Sequence, residues 1–277
     1  MKWESLVRVM IWVDMEGIAG IEAWDQVMGG APLYEEGRRL LTAETNAAVR
    51  GAKRAGAKEI IVVDCHGAGG GFSFRSMIPD QLEPGAEYVR GYPWARYIAP
   101  LEAGCDAAVL VGAHARAGTA TGVLCHTVSS EAWYDATIND VLVGESGILA
   151  ALCGTWNTPV VFVAGDKATC EEVRELCGEQ VVGVQTKIGL GRFSARNLAP
   201  SDACIRIEEG VHLALSRRDW PPAYKPGSPV TFKVELAVPD HADHFRGRPN
   251  VQVLGPRTVS STGDTFYAAW DQFWYRR

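Results

Sequence analysis

Apolar and polar positions follow two alternating rhythms through the first two-thirds of the chain. Leu6–Val13 is an apolar, β-branched run of the kind found in strands covered on both faces. After a Gly-rich stretch from Gly17 to Pro32, Tyr34–Ala55 repeats Leu40, Leu41, Ala47, Ala48 and Ala52 at helical spacing. Glu35, Glu36, Arg38 and Arg39 fall on the other side of that predicted helix, and Gly56 marks its end. Ile60–Asp64, Ala107–Gly112 and Val160–Ala164 read as further buried strands, and Gly144–Cys153 and Glu171–Gly178 as helices. Pro79–Leu82 begins a short helical stretch, and Tyr88–Arg90 is a short strand. Strands alternating with helices predict an α/β fold with a mostly parallel sheet and helices on both faces.

The rhythm changes between Gly122 and Val143. Val123, Cys125, Thr127, Ala136, Ile138 and Val141 predict antiparallel strands, an insertion near 120–143. Beyond Pro200 a helix over Ala203–Arg217 precedes the Pro-rich break Trp220–Pro229. Strands at Thr231–Ala237, Val251–Leu254 and Thr258–Ser261 then lead to a helix over Thr265–Trp274. Two regions are therefore expected: an α/β domain over residues 1–199 and a smaller α+β domain over 200–277.

Composition narrows the function classes. At 277 residues and 47% hydrophobic, the chain can bury a substantial core without disulfides. Lys plus Arg total 27 against 33 Asp plus Glu, a net charge of −6. Neither that balance nor any local run supplies the clustered cations that nucleic-acid binding needs, so no nucleic-acid partner is expected. The apolar stretches around Val9–Val13 and Val109–Val111 fall far short of the roughly 20 residues of a membrane helix, so no membrane is expected either. Met1–Asp14 lacks a cleavage-site pattern and reads as a buried strand, not a leader. Seven cysteines, an odd number without CxxC spacing, favour a reducing compartment and a cytoplasmic protein.

The acids and histidines fall at informative places. Asp14 and Glu16 lie just past the first strand, and residues i and i+2 of an extended chain point to one side. His66 follows the strand ending at Asp64, and His114 follows the strand Ala107–Gly112. Ligands of open α/β sheets bind beyond the carboxyl ends of the strands, where these four residues are delivered. Glu145, at the start of a helix, can add a third carboxylate. Mixed oxygen and imidazole donors suit Zn²⁺, with Mn²⁺ as second choice. Five donors exceed one tetrahedral site, which suggests two metals sharing a bridging carboxylate.

His126 is a further candidate, as a sixth ligand, a core histidine, or the group that gives a proton or hydrogen bond to a developing oxyanion. His212, His241 and His244 read as structural or solvated. Gly67, Gly69 and Gly71 follow a strand but miss the dinucleotide fingerprint, because Phe72 and the preceding His66 do not belong to it. Cys65–His66 and Cys125–His126 are adjacent residues on predicted strands and so point to opposite faces, which rules out either as a dyad by itself. Trp12, Trp94 and Trp133 read as packing or interface groups, with a place in a substrate pocket as the other role open to them.

An ordered set of motifs then meets a known family. VDMEGIAG (Val13–Gly20) resembles the SxDxEG signature of the DppA-like zinc D-aminopeptidases. YEEGRRLLTAETN (Tyr34–Asn46), VDCHG (Val63–Gly67), GAHARAGT (Gly112–Thr119) and GVLCHTV (Gly122–Val128) continue the resemblance. INDVLVGESG (Ile138–Gly147), VAGD (Val163–Asp166) and KIGLGRFSARNLAP (Lys187–Pro200) follow in order, and the likeness weakens after Trp220. Trp12 stands where the family has Ser, and Asp140 where Gly is frequent. The serine could hydrogen-bond behind the metals, so Trp12 bears on metal tuning or pocket shape.

The resemblance implies that Asp14, Glu16, His66, His114 and Glu145 bind a pair of Zn²⁺ ions, and that His126 is catalytic beside them. It implies hydrolysis of short peptides from the amino end, with D-residues preferred by some members. It also implies a homo-oligomeric ring, with a decamer as the candidate size. Two other readings stand beside it. One is a different dinuclear metallohydrolase acting on a non-peptide amide. The other is a non-catalytic ring protein that metal only stabilises.

Overall fold

The structure, a computed structural model, describes residues 8–91 and 97–274. Leu6 and Val7 of the expected first strand, and Trp94, lie outside the described residues. Strand β1 (Arg8–Val13) leads through the one-turn α1 (Trp24–Val27) to the long α2 (Tyr34–Arg54), and then to β2 (Glu59–Asp64), β3 (Glu87–Val89), α3 (Ala99–Glu102) and β4 (Ala107–Ala113). The hairpin β5 (Trp133–Ile138) and β6 (Val141–Leu142) precedes α4 (Glu145–Thr155), β7 (Val160–Asp166) and α5 (Lys167–Cys177). A second hairpin, β8 (Val182–Gly191) and β9 (Ser194–Asn197), runs into α6 (Pro200–Arg217). Last come β10 (Val230–Leu236), α7 (Pro239–Asp243), β11 (Val251–Val253), β12 (Thr258–Gly263) and α8 (Phe266–Trp274).

The larger sheet has the order β3-β2-β1-β4-β7-β8-β9, parallel except for the edge strand β9. From β1 the chain winds outward through β2 and β3, then returns to β4 on the other side of β1. That reversal opens a crevice at the carboxyl ends of β1 and β4, where α/β sheets bind ligands. Both faces of the sheet are covered, so its strands are continuous apolar runs, and Val9–Val13 are all buried. On one face α2 crosses α6 closely, because a Cβ on Gly51 would sit 2.5 Å from the carbonyl oxygen of Glu208. The apolar stripe of each helix packs there with Ile11, Val109 and Phe162. On the other face α4 and α8 join the second sheet around Trp12, Leu110, Phe232 and Trp270.

The second sheet is antiparallel, in the order β11-β12-β10-β5-β6. The antiparallel segment expected near 120–143 therefore pairs through β5 with β10, not within the larger sheet. Conversely, α6 follows residue 199 in the chain yet packs on α2. The β5–β6 turn places Asn139 (φ 47) and Asp140 (φ 65) in the left-handed region, as a two-residue hairpin loop demands. Asp tolerates that conformation, which accounts for its replacing a frequent glycine there.

Gly122–Val128, expected as a strand, is a loop. Leu124 (φ 50) and Val128 (φ 62) are both left-handed, and their N–H groups go to the Arg192 carbonyl and the Glu145 carboxylate instead of a ladder. Lys187–Pro200, recognised in the sequence only as a motif, contains most of the β8–β9 hairpin.

That hairpin holds the loop after β1. The Lys187 side chain, buried in β8, donates through Nζ to the carbonyl of Glu16 at 2.6 Å and to that of Ile21. Thr186 Oγ1 donates to the Gly17 carbonyl at 2.6 Å, and Glu44 Oε1 accepts the Ala19 N–H at 2.9 Å. Gly17 is needed where it stands, because a Cβ there would lie 1.9 Å from the carbonyl oxygen of Ala113. Burial lowers the Lys187 ammonium to about 8, although Asp166, Glu44, Glu22 and Glu16 oppose the shift. Burial raises the Glu44 carboxyl to about 7, against the Ala19 N–H and Lys187.

Two predictions test this framework. A Cβ at Gly154 would meet the backbone oxygen of Tyr224 at 1.8 Å. Gly154→Ala is therefore expected to destabilise the fold by about 1–3 kcal/mol, read as a lower melting temperature. The raised Glu44 pKa means that the folded state keeps a proton the unfolded state loses between pH 4.5 and about 7. Stability from this group is full below that window and is lost as pH rises through it. Glu44→Gln should flatten that part of the stability–pH curve in denaturant titrations.

Candidate metal centre

Each acidic and imidazole group reaches the crevice because a strand or helix ends there. The Asp14 N–H donates to the Val111 carbonyl at 2.9 Å, so the chain leaves β1 while still tied to β4. His66 and His114 follow β2 and β4, on either side of β1. Glu145 opens α4, where the positive end of the helix dipole favours a carboxylate. Its Oε1 also accepts the Val128 N–H at 2.8 Å, which joins α4 to the His126 loop.

The structure brings all six sequence-selected residues together. His66 Nδ1 lies 3.1 Å from Asp14 Oδ1 and 3.3 Å from Glu16 Oε2. His114 Nε2 lies 3.4 Å from Asp14 Oδ2 and 3.2 Å from Glu145 Oε1. His126 Nε2 is 3.6 Å from Glu145 Oε1, and its ring stacks on His114 with centroids 4.2 Å apart. His212, His241 and His244 take no part in this cluster.

The other nitrogen of each imidazole is committed to the backbone. His66 Nε2 faces the Val27 carbonyl at 2.7 Å, His114 Nδ1 that of Ala115 at 3.0 Å, and His126 Nδ1 that of Leu124 at 2.9 Å. A carbonyl only accepts, so each of these nitrogens carries the hydrogen. The opposite nitrogens of His66 and His114 then turn lone pairs toward carboxylate oxygens. Electron-rich atoms this close require a positive centre between them. Burial disfavours charge on both imidazoles, yet Glu16 and Asp14 raise His66 well above its usual value, and Glu145 and Asp14 do the same for His114. Burial would raise Asp14, but His114 and His66 hold it well below the usual carboxylate range.

A divalent cation answers the same demand as a proton, and the donors fit one. Glu16 Oε2 and His114 Nε2 are buried without a hydrogen-bond partner among the described residues. Two overlapping donor groups, Asp14–Glu16–His114 and His114–His126–Glu145, each hold their ligand atoms within 4.8 Å of one another. Carbonyl-oriented histidines and mixed carboxylates are the chemistry of zinc sites. A cavity of about 100 Å³ opens on the cluster, walled by Phe74, Val128, Ile148, Leu149 and Trp270.

Three neighbouring side chains play other parts. The Asp64 carboxylate accepts the N–H groups of His66, Ser76 and Met77, so it orders the loop after β2 and leaves the His66 ring to Val27. Burial, with Asp14 and Asp64, pushes the Cys65 thiol far above its usual value and keeps it protonated. Trp12 is buried, and its indole N–H points to Cys153 Sγ at 3.3 Å, away from the imidazole nitrogens. Sequence reasoning missed the three carbonyls of Val27, Ala115 and Leu124, which no side-chain pattern reveals. It also missed Lys187, whose lone charge within the KIGL run was a readable signal.

Known proteins resemble this chain in sequence and in fold. The chain is 29% identical over 258 residues to a D-aminopeptidase of Bacillus subtilis (strain 168), covering 91% of this chain and 90% of that protein. Its fold matches a solved Zn-dependent D-aminopeptidase, DppA from Bacillus subtilis, described as a self-compartmentalizing protease. That match has a TM-score of 0.87 at 27% identity and covers 96% of this chain and 95% of the other. The family profile of the D-aminopeptidases spans residues 7–275, and the chain therefore belongs to the D-aminopeptidase family.

Proposed function

We propose that this protein is a zinc-dependent aminopeptidase that removes the amino-terminal residue of short peptides, with D-residues preferred. The observation that carries the reading is the orientation of the histidines: each gives one N–H to a backbone carbonyl and turns its other nitrogen on the clustered carboxylates. Asp14, Glu16, His66, His114 and Glu145 would hold two Zn²⁺ ions, with Mn²⁺ the alternative. Bound in such a donor set, the metals would polarise a carbonyl and acidify water.

The chain's own groups do the rest. His126, fixed by Leu124 through Nδ1–H, presents Nε2 at the cavity wall, where it takes a proton released by the attacking water and hands it to the leaving amine. Leu124 and Val128, left-handed on either side, are held in that conformation by the Arg192 carbonyl and the Glu145 carboxylate. The narrow cavity suits a small side chain, and its acidic lining suits a free amino terminus. A second reading, His126 as a further ligand, is favoured by its place in the His114–His126–Glu145 group.

We place the protein in the cytoplasm as a homo-oligomeric ring, a decamer by our reading. All seven cysteines are unpaired, and among the described residues no helix is long and apolar enough to cross a membrane. Exposed Tyr134, Leu190 and Phe193 offer apolar area for subunit contact. Light scattering on the purified protein is expected to show ten chains.

Metal analysis should find close to two zinc ions per chain, and chelation should abolish release of amino-terminal residues from di- and tripeptides. His114→Ala is expected to lose metal. His126→Ala should keep both ions while turnover falls about a hundredfold to ten-thousandfold. Metal loss from His126→Ala would instead make it a ligand, and full activity would remove it from the chemistry.

A further inference from the structure

The tip of the β8–β9 hairpin lies against the His126 loop. Arg192 accepts the Leu124 N–H on its carbonyl at 2.8 Å, and its Nη2 donates to the Cys125 carbonyl at 3.2 Å. The close approach extends along the strand, since a Cβ on Gly189 would fall 1.9 Å from the Thr121 carbonyl oxygen. The guanidinium lies over two rings, 5.4 Å from the Trp24 centroid and 5.6 Å from that of Phe193. Trp24 in turn meets the His126 ring edge-on at 5.6 Å. A single indole thus separates the guanidinium from the imidazole.

This cation has a shaped seat and spare donors. Among the described residues no carboxylate pairs with Arg192, whereas Arg116, the other arginine near this loop, faces Glu172 at 4.0 Å. A guanidinium carries five N–H donors in a fixed fork that matches a carboxylate. Stacking on the two rings restricts its rotamers before any anion arrives.

The charge layout orients a peptide. Asp14, Glu16 and Glu145 line the inner cavity and favour an amino terminus, while they repel a carboxylate. In the reading above His126 serves the leaving amine, and Arg192 lies on the far side of Trp24 from it. An extended peptide advances about 3.5 Å per residue, so the free carboxylate of a dipeptide or tripeptide reaches one ring's breadth past the imidazole. We propose that Arg192, seated on Trp24 and Phe193, binds the terminal carboxylate of the substrate and restricts this enzyme to very short peptides with a free carboxyl end. The proposal rests on the aminopeptidase reading above and names its substrate class.

The test compares D-alanyl-D-alanine with its carboxyl-terminal amide on the zinc-loaded protein, unsubstituted and as Arg192→Gln and Arg192→Lys. The ratio of kcat/KM for the free acid to that for the amide should fall about tenfold to a hundredfold in Arg192→Gln, the range for a charge-assisted hydrogen bond. The change should appear in KM, and Arg192→Lys should recover part of the ratio. An unchanged ratio, or an equal fall on both substrates, overturns the role of Arg192 alone. No turnover of either peptide by the unsubstituted protein overturns the aminopeptidase reading and this inference with it.

Discussion

Three carboxylates gathered at one buried rim repel one another, and the surrounding structure is arranged to keep them there. Asp14 and Glu16 cannot swing apart, because their loop is tied to β4 by backbone hydrogen bonds and to β8 by Lys187 and Thr186. Glu145 is held from two sides, by its place at the start of α4 and by the Val128 N–H. Unpaired anions in a low-dielectric interior cost several kcal/mol each, so such a cluster persists only where positive charge enters it. The ring nitrogens of His66 and His114 that face these carboxylates define where a positive charge enters, as a proton or as a cation.

Rigidity around the cluster comes mostly from the main chain. Three carbonyls select the imidazole tautomers, and three N–H groups bind Asp64 and fix the loop that carries His66. Asp166 does similar work from the end of β7, where its carboxylate caps α5 through Thr169 and also takes the Val123 N–H. Thr169 Oγ1 then donates to the His114 carbonyl at 3.0 Å. The three imidazoles and Glu145 are thus each fixed by a backbone group.

The side chains of the site were legible in the sequence because α/β folding puts chemistry at strand ends. Asp14, His66 and His114 each follow a continuous apolar run, and such runs mark buried parallel strands whatever their order in the sheet. The strand order itself was not legible, nor was the pairing of β5 with β10, since alternation reveals a strand and not its neighbour. Gly122–Val128 misled for a related reason. Val123, Cys125 and Thr127 alternate as a strand does, but Glu145 and Arg192 capture the backbone groups that a ladder would need. The three tautomer-selecting carbonyls belong to Val27, Ala115 and Leu124, whose identities say nothing of a polar duty.

Trp270 comes from the last helix of the described chain, yet it walls a cavity whose first donor is Asp14. Its indole N–H rests on the Tyr97 hydroxyl at 3.0 Å, so the wall is also tied to the middle of the chain. During synthesis the strands bearing the acids and histidines leave the ribosome long before this tryptophan. The cavity wall is therefore complete only once this helix, late in the chain, has packed against strands made far earlier.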